Sequence, residues 1–338
     1  MGYVTPAQRY DVVTVGDVAT DVIIRVPEGQ VGMKTEEDGR FLEVPLGVKV
    51  AYHEETTVAA GGSAANIAVG LSRLGIRVGL ASFLAHDEVG RDLLSALHGE
   101  HVDTRLIRVD SPAHTNRNIV LSYRGERTIF VWHADFEYHW PYLRPSEVPA
   151  WLLVTSLGPD AIEYEGQIAD WLDENPEVKL ALRPGTVQID GGVKRLARLC
   201  RRAELFVCDA HQARSLIGVG SDAPDKQLAA LRKLGPRLVA IVDDAGGAVA
   251  LEDTDRFRVS DGTGFGSALD RTGAADAFAA SLLAGVVRGL PLKDALKWGP
   301  PNYSSVAAYL GSQAGLLREV DLRRIIDSFG VTVNPVRD

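Results

Sequence analysis

Cysteine is scarce in this 338-residue chain, and the two present, Cys200 and Cys208, exclude a disulfide framework and show no metal-ligand spacing. Reduced structural thiols fit that count, and with them a cytoplasmic protein. Long apolar runs are missing too. None approaches about 18 residues, so no segment reads as a membrane span. The N-terminal MGYVTPAQRYD lacks the apolar core of a signal peptide, and Pro6 occupies the Ser/Thr position of a myristoylation pattern. Nor is there a basic excess: 36 Lys and Arg stand against 45 Asp and Glu, for a net charge of −9. That argues against nucleic acid, whose phosphates need a basic face. A small anionic substrate stays within reach of a few local cations or backbone N–H groups.

Several catalytic signatures are absent. The chain has no G-x-x-x-x-G-K-[ST] loop. The first strand-like run is followed by GDVATD rather than G-x-G-x-x-G, which argues against a nicotinamide dehydrogenase. The GTGFG of residues 262–266 comes late in the chain, lacks the strand–helix context and reads as a flexible loop. The eight histidines show no H-E-x-x-H, and no serine sits in a G-x-S-x-G elbow.

What is present is an alternation of short β-branched runs and amphipathic stretches. Residues 11–15 (DVVTV) read as a buried strand ended by Gly16-Asp17, and residues 22–26 as a second. Pro27, Gly29, Gly32, Gly39, Pro45 and Gly47 break residues 27–58 into short exposed strands and turns. Residues 61–75 (GGSAANIAVGLSRLG) read as a helix capped near Ser63 and closed by Gly75. A strand over 78–84 and a helix over 90–97 follow. Residues 105–135 alternate in a hairpin-like way, with RGER as a turn.

From residue 151 strands at 151–155, 178–182, 205–208 and 238–242 alternate with helices at 161–175, 192–202, 212–218 and 225–233. Helices at 274–289, 293–310 and 319–328 close the chain. The pattern predicts an α/β body with a central, mostly parallel sheet covered by helices on both faces. The β blocks 22–58 and 106–135 are each too small to stand alone and are expected to pair as a lid. Residues 1–21, 59–105 and 136–338 then make the body.

One stretch carries chemistry. In Asp270-Arg-Thr-Gly-Ala-Ala-Asp-Ala-Phe278, a Thr-Gly turn runs into strong helix formers. The N–H groups of Gly273, Ala274, Ala275 and Asp276 are the orphan donors of a helix N-terminus and make an anion site. A carboxylate in that turn can take a proton from a substrate hydroxyl while the amides hold a phosphoryl group. Alone, an Asp at a helix start more often serves only the helix dipole.

With these two motifs, GGSAANIAVGLSRLG followed by FLAHDEVG at 83–90, and DRTGAADAF, the chain resembles the PfkB/ribokinase carbohydrate kinase family over nearly its whole length. The resemblance implies a three-layer ribokinase-like body with a β-sheet lid, and ATP-dependent phosphorylation of a sugar or nucleoside hydroxyl with Mg2+. It implies Asp276 as general base and Gly273, Ala274 and Ala275 as the anion-stabilising turn. Asp17, Asp21, Gly61, Gly62 and Asn66 would hold the substrate. Asp209, Gln212 and Gly247 would serve the nucleotide, and Asn302 and Gly311 would border adenine. Asp270 and Thr272 resemble a monovalent-cation loop, for K+. Lid sheets in the family often pair between subunits, so a homodimer is open.

Departures from the family pattern gather on the nucleotide side. Ala275 replaces the second glycine of Gly-Ala-Gly-Asp. Asn-x-x-Glu becomes Asp209-Ala-His-Gln212, and Thr-x-Gly-x-x-Gly becomes Val242-Asp-Asp-Ala-Gly-Gly247, which brings Asp244 near the triphosphate. Gly-Asp-Asp becomes Ala85-His86-Asp87. An active kinase ranks first, and second a sugar-binding relative that has lost turnover or an engineered relative with an impaired nucleotide site. Ala275 costs little if its φ is helical and about 1–2 kcal/mol if positive. His133 and His139 flank WHADFEYHW, which reads as lid packing, a dimer surface or a ligand face. Arg183, at a strand end, reads as a surface salt bridge, with a phosphate-bearing substrate as the alternative.

Overall fold

In the computed structural model, which describes residues 10–36, 39–111, 114–124, 126–218, 224–260 and 268–336, the VVTV run is β1 (Val12–Val15), buried throughout. β2 (Ala19–Arg25) follows it, then an outlying hairpin of β3 (Gly32–Glu36) and β4 (Gly39–Glu43), then β5 (Glu54–Gly61). α1 (Ser63–Arg73), β6 (Val78–Ala85), α2 (Glu88–Gly99) and β7 (Ile107–Ser111) come next. β8 (Arg117–Tyr123) and β9 (Glu126–Phe130) form a hairpin.

The chain then alternates through β10 (Trp151–Val154), α3 (Ile162–Glu174), β11 (Lys179–Leu182), α4 (Thr186–Asp190), α5 (Gly192–Arg202), β12 (Ala203–Asp209), α6 (Ala210–Ile217), α7 (Pro224–Arg232) and β13 (Leu238–Val242). β14 (Ala248–Glu252) and β15 (Asp255–Val259) turn back on it. α8 (Ala274–Val287), α9 (Leu292–Ala295), α10 (Gly299–Ala307), α11 (Glu319–Phe329) and β16 (Val333–Pro335) complete the chain.

Ten strands form one sheet in the order β16-β15-β14-β13-β12-β11-β10-β1-β6-β7. The pairings from β13 to β7 are parallel, and those among β13, β14, β15 and β16 antiparallel. Side chains alternate across it with the strand period of two. Leu205 and Val207 join one apolar core with Leu71, Phe278 and Val306, whereas Phe206 and Cys208 join the other with Ile168, Leu196 and Leu228. Helices therefore cover both faces, as in a ribokinase-like α/β fold.

A second, four-stranded sheet has the order β5-β2-β8-β9, so the two noncontiguous β blocks do pair, through parallel β2 and β8. The hairpin of β3 and β4 is a separate two-stranded sheet. Three expectations need correction. Residues 107–111 lie at the edge of the large sheet, beside β6, and not in the small one. The helix over 293–310 is broken, because Pro300 and Pro301 are tolerated only in the first turn of a new helix, α10. The first helix has Gly62, not Ser63, at its N-cap, with no side-chain cap. Residues 262–266 lie outside the described residues, as does the N-terminal segment before Tyr10. Among the described residues, no helix is long and apolar enough to cross a membrane.

β1 lies between β10 and β6, the point where strand order reverses direction. Crevices beyond the carboxyl ends of strands at such a point are where open α/β sheets bind ligands. Asp17 follows β1, Ser156 follows β10 and Arg183 follows β11, so three neighbouring strands deliver side chains to one rim.

Candidate active site

A cavity of about 500 Å³ opens at that rim, lined by Asp17, Gly62, Asn116, Trp132, His133 and Thr186, among others. Asp17 is buried. Its Oδ2 accepts from Tyr138 Oη and Gly158 N, both at 2.8 Å, while its buried Oδ1 has no partner. Burial outweighs those two hydrogen bonds and pushes the carboxyl up to about 6. His133 Nδ1 lies 4.0 Å from Asp17 Oδ2, yet burial pushes the imidazole down, so the two form no charged pair at neutral pH.

Asp21 does not line the cavity. Its Oδ1 accepts from Asn118 Nδ2 at 2.8 Å, and Asn118 lines the cavity in its place. Burial, helped by the nearby Asp276 charge, raises Asp21 to about 6. A Cβ at Gly61 would collide with the Asp21 carboxylate, so that glycine makes room for a side chain and not directly for a ligand. Gly62 does border the cavity. Its φ of 86° and its closeness to the Asp17 carbonyl both favour glycine.

Asp276 stands in the first turn of α8, only 5% exposed. Gly273 begins the helix with φ 77°, in the left-handed region, and a Cβ there would strike Ser312. Among the described residues no group accepts the N–H of Gly273, Ala275 or Asp276, whereas Ala274 N–H turns back to Arg271 O at 3.2 Å. Three open donors therefore face out at the positive end of the helix. Ala275 is not among the residues with positive φ, and its methyl packs at the border of a core cluster. The substitution is thus a tolerated methyl in helical geometry.

Asn66 crosses from α1 to fix the carboxylate. Its Oδ1 accepts from Ser312 Oγ at 2.9 Å and Gln313 Nε2 at 3.0 Å, which leaves Nδ2 to donate to Asp276 Oδ2 at 2.9 Å. The other oxygen, Oδ1, lies 2.9 Å from Arg183 Nη2. That contact is off the line of a hydrogen bond, so Oδ1 still has an open acceptor position. Arg183 is 7% exposed, and its Nε is buried without a partner. The expected surface salt bridge is therefore a buried pair with Asp276.

The residues expected to serve the nucleotide are occupied differently. Asp209 and Gln212 form a reciprocal cap on α6: Gln212 N donates to Asp209 Oδ1 at 2.7 Å and Asp209 N to Gln212 Oε1 at 3.1 Å. Gln212 Nε2 also donates to Pro184 O at 3.2 Å. The loop ending at Gly247 is closed on itself, because Asp243 Oδ1 accepts from Ala245 N and Gly247 N, both at 2.9 Å. Asp244 is exposed, and its carbonyl accepts from Tyr303 Oη at 3.1 Å. Asp87 of Ala85-His86-Asp87 caps α2 through Gly90 N at 2.7 Å.

Two placements correct the adenine expectation. Asn302 is 0% exposed, donates to Ser281 Oγ at 2.8 Å and accepts from Leu317 N at 2.9 Å. It pins helices together and cannot border an open cleft. Gly311 is buried against Val58 and Ile23 of the small sheet, and its N–H donates to Asp270 Oδ2 at 3.1 Å. Asp270 Oδ1 accepts from Thr272 N at 3.0 Å and Thr272 Oγ1 at 2.7 Å. Both oxygens of the supposed cation ligand already hold the turn in place. No group of three or more potential ligands for a metal occurs among the described residues.

Residues 11–308 match the pfkB family carbohydrate kinase. The chain belongs to that family. As a member it is a sugar kinase, a phosphotransferase, of the PfkB/ribokinase group. It is 28% identical to a fructokinase of Klebsiella pneumoniae over 300 residues, 82% of this chain and 84% of that one. It is 24% identical to an ATP-dependent 6-phosphofructokinase of Thermoanaerobacterium thermosaccharolyticum, over 90% of each. Its fold is similar to that of an Arabidopsis thaliana ribokinase solved with ribose and ATP, at a TM-score of 0.76 and 16% identity, covering 94% of this chain and 99% of that one.

Some residues at this candidate site carry no sequence signal. Asn116 and Asn118 gave no signal beyond a polar pair in a strand. Tyr138 belongs to the aromatic tract already singled out, where it packs beside Phe83 and Tyr164 and points its hydroxyl at Asp17.

Proposed function

We propose that the chain transfers the γ-phosphoryl group of ATP to a hydroxyl of a small sugar or nucleoside, with the small sheet acting as a lid. The observation that carries this reading is the open Oδ1 of Asp276 beside the open N–H groups of Gly273, Ala275 and Asp276. The acceptor hydroxyl gives its proton to Asp276 Oδ1. Its oxygen bonds to the γ-phosphorus as the bond from that phosphorus to the β–γ bridging oxygen breaks, and ADP leaves. The three amides face the charge on the transferred group, in a reaction governed by positioning and electrostatics.

Asn66 holds Asp276 in orientation, and Asp17 Oδ1 accepts a hydroxyl of the acceptor. Mg2+, when bound, would supply charge neutralisation at the phosphates and would be held there mainly by nucleotide oxygens and water rather than by a protein cage. The chain offers open amides for such an anion but no group of three or more potential metal ligands among the described residues. Phe130, exposed at the end of β9 and outside the cavity lining, supports a homodimer through the lid.

A second reading, sugar binding without turnover, draws on the closed loop of Asp243 and the capping role of Gln212. ADP release over a panel of sugars and nucleosides separates the two. Turnover that Asp276→Asn abolishes supports the kinase. Ligand-induced thermal shifts with no ADP from any acceptor would sink it.

A further inference from the structure

Four buried carboxylates, Asp17, Asp21, Asp270 and Asp276, gather around this site. Among the described residues, Arg183 is the cation in ion-pair contact with one of them. A neutral acceptor leaves that guanidinium on the base, where it opposes uptake of a proton. Its Nε is also buried and unpartnered, which is costly unless a ligand supplies the acceptor.

The arginine sits on a rigid mount. Gln212 Nε2 holds Pro184 O, Gly185 N donates to Gln188 Oε1 at 2.8 Å, and Gly185 packs against Ser156 with no room for a Cβ. The next residues, Gly185, Thr186 and Val187, line the cavity. Arg183 and Asp17 follow strands β11 and β1, two places apart in the sheet, so their backbones stand roughly 10 Å apart. A small sugar spans that gap.

We propose that Arg183 is a specificity-determining residue that selects an acidic acceptor, a sugar carrying a carboxylate or phosphate group. The acidic group takes the guanidinium as a charge-assisted partner and draws it off Asp276, so the base is released only when the right acceptor is bound. Asp17 Oδ1 takes a hydroxyl at the other end. The nucleotide is the weaker candidate for this cation, because the residues after Arg183 line the cavity, while the open amides of α8 are free for a phosphoryl group. This inference rests on the kinase reading for its rate arm and on binding alone for its second arm.

The test uses the full chain with ATP. Acceptors are matched sets: D-fructose, D-fructose 6-phosphate, D-gluconate and a 2-keto-3-deoxyaldonic acid with its neutral deoxy sugar. Expected is a kcat/KM for an acidic acceptor at least tenfold above its neutral partner, and the acid that wins tells carboxylate from phosphate. In Arg183→Gln that ratio falls tenfold or more, with Arg183→Lys between. A neutral sugar preferred by the wild type overturns the proposal. So does an Arg183→Gln that raises KM for ATP and leaves the ratio alone.

If no acceptor yields ADP, the kinase reading has failed and thermal shifts decide. Shifts with the acids in the wild type, lost in Arg183→Gln and partly kept in Arg183→Lys, support Arg183 as the acid receptor. No shift with any acid overturns it. The wild-type comparison stands even where a variant fails to fold.

Discussion

On the rim after β1 and β11, Asp17 Oδ1 and Arg183 Nε are buried and unpaired. On the loop after β13, Asp243 Oδ1 takes two amides of its own turn, and at the head of α6 Asp209 and Gln212 cap each other. Both regions are rich in acids and amides, but only the first leaves them open. A buried polar group without a partner costs about 1–3 kcal/mol. The fold sustains that cost beside the cavity and avoids it at the closed loop.

The sharpest way to break this contrast is Asp276→Asn. Loss of the base should lower kcat about 10²- to 10⁴-fold, while thermal shifts with acceptor persist. A variant that keeps most of its ADP release would remove Asp276 from the chemistry.

Asp17→Asn comes next. An uncharged amide in place of Oδ1 should weaken acceptor binding by about tenfold to a hundredfold, the range of a charge-assisted hydrogen bond. Stability should move the other way. Folded Asp17 titrates near 6, above its ordinary 3.8, so the folded state holds more protons between those values and loses stability as pH rises through them. Asparagine does not titrate, and its Oδ1 can still accept from Tyr138 and Gly158. The melting temperature of the variant should therefore exceed that of the wild type at pH 7 and converge with it near pH 4. Titration of Asp17 and Asp21 has a functional counterpart. Wild-type acceptor KM should rise as pH falls below about 6, where these acceptors protonate.

Asp243→Ala tests the closed side. Freed from the carboxylate, the Ala245 and Gly247 amides can reach phosphate, and KM for ATP should drop about threefold to tenfold. A rise in KM would mean the loop serves nucleotide as it stands. The smallest effect is expected for Ala275→Gly. Its helical φ means that kcat and KM should stay within about threefold, with about 0.5–1 kcal/mol lost in urea unfolding.

Much of the body was readable because buried parallel strands announce themselves as β-branched runs, and Asp276 stood out only because DRTGAADAF and GGSAANIAVGLSRLG together resemble a known family. What escaped reading depended on distant partners. The alternating residues 107–111 suit an edge strand of either sheet, and only pairing with β6 decides. Arg183 looked like a surface charge because nothing near it in sequence tells that α8 will bring Asp276 to it. Asn302 looked available because burial of a helix polar face depends on what packs there, here Ser281 and Leu317.

The bond from Asn66 to Asp276 joins residues 210 apart. A ribosome adding roughly 5–20 residues each second needs on the order of ten seconds or more to cover that distance. Throughout that interval α1 has emerged without α8, and the small residues along it, with Gly70 in close contact with Ala280 in the finished molecule, wait for their cover. The contact between Asn66 and Asp276 is therefore among the last of this fold to form, and a nascent chain stalled before α8 carries an uncovered apolar helix.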